Sequence, residues 1–149
     1  GWLAASQTVG SFVAELARSG QRYWATGTSA PCLSLFRPVS IDRPHDVGSP
    51  TGEQDDSLWW RFEAIHRTML AADASMLAAF TSERDRVQAL VLESNEPTAW
   101  QLADNWLQDW QRRLSASTDG DGRPSWLRRY WQNLDRQSSQ HSRLPWRPA

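Results

Sequence analysis

There is no lysine anywhere in these 149 residues, so all sixteen basic side chains are arginine. That absence removes lysine nucleophiles, Schiff-base chemistry and the phosphate-binding P-loop. A single cysteine, Cys32, excludes an internal disulfide and any zinc site built from paired thiolates. The three histidines, His45, His66 and His141, are scattered, with none three or four residues from another, so no metal centre is expected and no cofactor is implied. No apolar run approaches the roughly eighteen residues of a membrane span, and the basic-then-apolar layout of a secretion signal is missing. A folded protein with no membrane partner is expected, placed in the cytoplasm, where a lone thiol is at home.

What the chain has in abundance is tryptophan, ten residues of it. Each indole presents about 200 Å² of surface and an N–H that needs an acceptor when buried, so these side chains must be packed or stacked. The length suits one domain with its own core. Hydrophobic residues make up 40% and charged residues 22%, which places the chain among globular rather than disordered sequences. Net charge is −1, but it is segregated: residues 1–122 carry ten Arg against sixteen acids, and residues 123–149 carry six Arg against Asp135 alone.

From Thr8 to Leu16 a period of two sets Phe12, Ala14 and Leu16 against Ser11, Val13 and Glu15, which predicts a strand. Arg18-Ser19-Gly20-Gln21 then predicts a turn, and Arg22 to Thr28 the returning strand of a hairpin. Cys32 to Val39 alternates again and predicts a third strand, stopped at Pro38. With Cys32 on that strand, an ordinary buried thiol is expected. Residues 40–54 are aperiodic and rich in Pro and Gly, which predicts an exposed loop. Asp55 and Asp56 supply caps for one helix running to about Glu93, with Leu58, Phe62, Ile65, Met69, Met76, Phe80, Val87, Leu90 and Val91 on its inner face and Arg61, Glu63 and Arg67 between them. Thr98 and Gln101 form a capping box for a further helix, whose stripe is Ala103, Leu107, Trp110 and Leu114, widened by Leu102 and Trp106. Pro124 opens another helix with Leu127, Tyr130, Trp131 and Leu134 inward, and residues 138–149 read as a polar tail. The organisation is strands over 1–39, a loop over 40–54, a helical region over 55–137 and a tail, which is the order of an α+β fold.

Two chemical motifs are approached and missed. Gly27-Thr28-Ser29-Ala30-Pro31 resembles a nucleophile elbow, but Pro31 replaces the closing glycine and no helix is expected to follow. Asp119 to Gly122 opens like a calcium loop, but Tyr130 stands where the chelating glutamate is required. His66 flanks an apolar stripe and reads as a helix-surface or core-edge residue rather than a catalytic one. The Arg- and Trp-rich C-terminus has the composition of a nucleic-acid surface, yet the overall acidity and the helical spacing of its aromatics weigh against that partner.

The text Ser6-Gln7-Thr8-Val9-Gly10-Ser11-Phe12-Val13-Ala14-Glu15-Leu16, followed by Trp24-Ala25-Thr26-Gly27-Thr28-Ser29-Ala30-Pro31-Cys32-Leu33-Ser34-Leu35-Phe36-Arg37-Pro38-Val39 and by Ser57-Leu58-Trp59-Trp60-Arg61-Phe62-Glu63, resembles the C-terminal part of the secernin and dipeptidase family of N-terminal-nucleophile hydrolases. The likeness covers residues 6–93. It implies the C-terminal half of an αββα sandwich, two antiparallel sheets between helical layers, and hydrolysis of peptide or amide bonds by a cysteine at the mature N-terminus whose α-amino group acts as base. Residue 1 is Gly, and Cys32 does not match the nucleophile's place, so no catalytic residue is expected in this chain. The implied partners are a missing N-terminal half of the same protein and a peptide or amide substrate, with self-association left open. For substrate binding, the turn Thr26-Gly27-Thr28-Ser29 is expected at the pocket edge, and Arg37 is a candidate anchor for a substrate carboxylate through a bidentate pair. The competing reading is a non-enzymatic α+β interaction module that binds protein or nucleic acid through Trp-rich helices and a basic C-terminus. The two readings part on whether the first strands are sealed into a closed core or left with bare apolar flanks.

Overall fold

The computed structural model describes residues 8–48 and 54–116. The expected Asp119–Gly122 turn, the helix from Pro124, the basic stretch and the tail lie outside the described residues. What is described is α+β: a three-stranded antiparallel sheet followed by three helices.

The hairpin forms from β1 (Phe12–Ala17) and β2 (Gly20–Ala25), joined by Arg18 and Ser19, with β3 (Arg37–Val39) on the other side of β2. Directly paired residues share a face. Phe12, Ala14 and Leu16 therefore lie on one face with Gln21, Tyr23, Ala25, Arg37 and Val39, and Val13 and Glu15 lie on the other with Arg22, Trp24 and Pro38. The expected third strand over 32–39 shrinks to three residues. Ala30 has a positive φ of 44°, and the bonds Leu33 N–H to Ala30 C=O and Ser34 N–H to Pro31 C=O wind residues 30–34 into turns that drop Leu35 into the core. Cys32 consequently sits exposed at the surface, contrary to the expectation of a buried thiol, and its carbonyl accepts from Arg84.

The long helix expected from 55 to 93 is two helices, α1 (Leu58–Met69) and α2 (Ala74–Glu93). Ser57, rather than Asp55 or Asp56, caps α1 by accepting from the Trp60 N–H, and Asp55 instead accepts from the Ser57 N–H at 2.8 Å. The break falls at residues 70–73 because Asp73 adopts an extended backbone and its carboxylate accepts from the Met76 N–H at 2.8 Å, starting a fresh helix. Helix α3 (Glu96–Ala116) begins earlier than the Thr98 capping box would have it: the Asn95 side chain accepts from the Thr98 N–H at 3.0 Å, and Pro97 lies in the first turn, where its missing N–H costs nothing.

The core lies between the helices and the turns before β3. Phe62, Ile65 and Met69 of α1, Phe80, Val87 and Val91 of α2 and Ala99, Ala103, Trp106, Leu107 and Trp110 of α3 close on Ala30 and Leu35. Leu90, expected inward, is exposed. Phe80 packs against Trp106 at 5.1 Å and Trp110 at 4.9 Å between ring centroids. The N–H groups of both indoles are buried with no hydrogen-bond partner. Side chains tie β3 to this body. The Gln88 amide clasps both backbone groups of Phe36, at 2.7 and 3.0 Å, and the Trp100 indole donates to the Pro38 carbonyl at 2.8 Å.

The helices engage the sheet principally through β3. Every residue of β1 is exposed, and Val9, Phe12, Val13 and Leu16 present large apolar side chains to solvent. Phe12 and Val13 point to opposite faces, so β1 carries exposed apolar side chains on both sides, and among the described residues no strand pairs with its outer edge.

Candidate functional site

The turn leaving β2 is the most densely buried polar segment of the described chain: Thr26, Thr28 and Ser29 are each at most 1% exposed. Thr26 is fixed to the start of β1 twice over, its N–H donating to the Ser11 carbonyl and its hydroxyl accepting from the Ser11 N–H, both at 3.0 Å. Gly27 is the exposed apex at φ +60°, a conformation that a side chain would strain, and a Cβ there would meet Leu58 Cδ2 at 3.7 Å. The hydroxyl of Thr28 is buried without a hydrogen-bond partner. The Ser29 hydroxyl favours the ionised form of Glu63 without completing a hydrogen bond of good geometry.

Glu63 is the residue that pattern reading missed. Periodicity makes it one of the charges separating apolar positions of α1, yet it is 2% exposed. Its carboxylate receives Arg67 Nε at 3.0 Å and lies 3.1 Å from His66 Nδ1. Burial alone would raise its pKa, but hydrogen bonds from His66 and Arg67, the Ser29 hydroxyl and the Arg67 charge prevail and hold it at about 2. An ionised carboxylate can only accept, so His66 Nδ1 carries the proton in this contact. The signal was available in the spacing: Glu63, His66 and Arg67 stand at i, i+3 and i+4, where one helical face brings them together.

Arg37, at the start of β3, is 4% exposed. Its guanidinium donates to Asp104 of α3 at 2.8 Å and lies over the Trp100 ring at 4.8 Å. Burial lowers its pKa, the bond and charge of Asp104 oppose that, and the nearby Arg61 charge adds to the lowering. A substrate carboxylate would have to displace Asp104 to form the bidentate pair expected for this residue.

These groups form a scaffold rather than a self-contained reaction centre. A hydrolytic triad places the imidazole between hydroxyl and acid; here the acid, Glu63, stands beside both Ser29 and His66. A carboxylate with a pKa of about 2 is also too weak a base to activate a hydroxyl at neutral pH. Among the described residues, no cluster of His, Cys, Asp and Glu is arranged to hold a metal ion. No described helix is long and apolar enough to cross a membrane.

An open cleft of about 540 Å³ lies elsewhere, between β2 with the residues following β3 and the end of α2, with Tyr23, Ile41, Leu92 and Glu96 among its walls. None of Thr26, Gly27, Thr28, Ser29 or Arg37 lines it. Compared with known proteins, the chain matches no protein-family model, no curated protein and no solved structure.

Proposed function

We propose that this chain is the C-terminal portion of a cysteine N-terminal-nucleophile amidohydrolase of the dipeptidase and secernin type, contributing strands and a helical cover to an αββα sandwich whose attacking cysteine lies outside it. The observation that carries this reading is the β1–β2 hairpin. A strand with large apolar residues on both faces and, among the described residues, no neighbour on its outer edge has the surface of an interior strand, and a sandwich supplies a neighbouring strand and a second layer. The buried turn over 26–29, anchored to β1 through Thr26 and backed by Glu63, presents Gly27 outward as the pocket-edge element of this half. Arg37, held by Asp104 and Trp100, fixes the start of β3 against α3.

The alternative of an interaction module that binds through its Trp-rich helices is less well supported. Trp106 and Trp110 of α3 are spent on the core.

The test is to express the longer reading frame that encodes this chain with its upstream part, and to follow release of amino acids from dipeptides. Hydrolysis is expected from the joined protein, none from this chain alone, and none after Cys→Ala at the mature N-terminus. Undiminished hydrolysis in that Ala variant would overturn the reading.

A further inference from the structure

His45 stands at a junction of three contacts. Its Nε2 accepts from the Ser40 backbone N–H at 3.2 Å, one residue beyond the end of β3. The same nitrogen is 3.8 Å from Glu96 Oε1 at the start of α3. The ring is stacked on Trp100 with centroids 4.6 Å apart and planes within 9° of parallel. Because Nε2 accepts from an N–H, it bears no proton in this arrangement, and the neutral ring carries its proton on Nδ1.

We propose that His45 is an acid-sensitive latch on the connection between β3 and α1. Protonation puts a hydrogen on Nε2, where the Ser40 N–H now points, so that an accepting contact becomes one between two donors. Glu96, already within 3.8 Å, is an acceptor for the new N–H, and the imidazolium keeps its place on Trp100, now as a cation over an aromatic face. The ring stays and Ser40 is released. The charged groups around it are Glu96 from α3; Arg37 from β3, which lies over the same Trp100 ring and is paired with Asp104; and, on its own connection, Arg43, which donates to Glu96 at 3.1 Å, with Asp42 and Asp46 adjacent in sequence. Arg43 shares Glu96 with the protonated ring and so moderates the pull. The latch matters because residues 40–48 lead from the sheet to the α1 cap, where the Val47 carbonyl receives the Leu58 N–H at 2.9 Å. Histidine is suited to this because its ordinary titration falls between about pH 5 and pH 8.

The experiment is amide exchange and imidazole titration by NMR on the full isotopically labelled chain. Protection of the Ser40 amide, corrected for the intrinsic pH dependence of exchange, is expected to fall about tenfold on the acid side, with the same midpoint as the His45 ring resonances. In His45→Gln, whose amide oxygen accepts at every pH, that step is expected to vanish. Ser40 protection unchanged through the His45 titration, or an identical step in His45→Gln, would overturn the latch. Should that variant fail to fold, a mismatch of the two midpoints in the unaltered chain decides against it equally.

Discussion

Glu63 is a carboxylate held ionised at 2% exposure. Its pKa falls from an ordinary 4.5 to about 2, so it binds fewer protons in the native state than in the unfolded chain. The stabilisation is therefore fully present above the unfolded value and is lost as pH falls from about 4.5 through about 2. Glu63→Gln is expected to lower stability at neutral pH by roughly 3 kcal/mol and to flatten that acid limb, as measured by urea denaturation at a series of pH values. Arg37 is the second case of a buried charge. Arg37→Ala is expected to cost about 3 kcal/mol, and a double-mutant cycle with Asp104→Asn should show coupling between the two. Legibility differs between these residues. Arg37 is singled out in the sequence only as a candidate anchor for a substrate carboxylate, and its actual partner, Asp104, 67 positions away, is not legible there. Glu63 was hidden because a charged residue in an amphipathic helix reads as solvent-facing until the turn that buries it is placed over it.

The elements were legible where one local rule acted alone. The hairpin follows from periodicity and turn chemistry, its turn expected over Arg18–Gln21 and formed by Arg18 and Ser19, and the stripe of α3 packs as its spacing demands. Reading went astray where a side chain competed with periodicity. Asp73 cut one apolar face into two helices, Asn95 took the cap from Thr98, and the positive φ of Ala30 turned an alternating run into coil. Strand β1 is the element whose sequence and environment disagree. Leu16→Lys is expected to change the stability of this chain by less than about 0.5 kcal/mol, since the side chain is already in water. If the chain completes the proposed sandwich, the same change in the longer protein should destabilise by about 2 kcal/mol or more, because a buried face would then receive a charge. Thermal melts of both forms check the pair; equal effects would count against the sandwich.

At the scale of the whole molecule, the sheet and the helical body are held together chiefly at β3, by Gln88, Trp100 and the Arg37–Asp104 pair. A two-stranded ribbon without cover is marginal in water. Hydrogen exchange is therefore expected to run at least about a hundredfold faster in the β1–β2 ladder than at Ile65, Val91 or Leu107, and comparable rates would show the hairpin to be sealed. The α+β class was readable from strands preceding helices, whereas which half of the sheet is covered depends on contacts that no local pattern encodes. The two orphaned indoles of α3 carry an optical consequence. Trp106 and Trp110 sit where neither water nor an acceptor reaches the ring nitrogen, so their excited states cannot relax through a solvent shell. Difference emission spectra against Trp106→Phe and Trp110→Phe should isolate a blue-shifted component that disappears when the helices part, giving this chain its own luminescent gauge of whether the interior is shut.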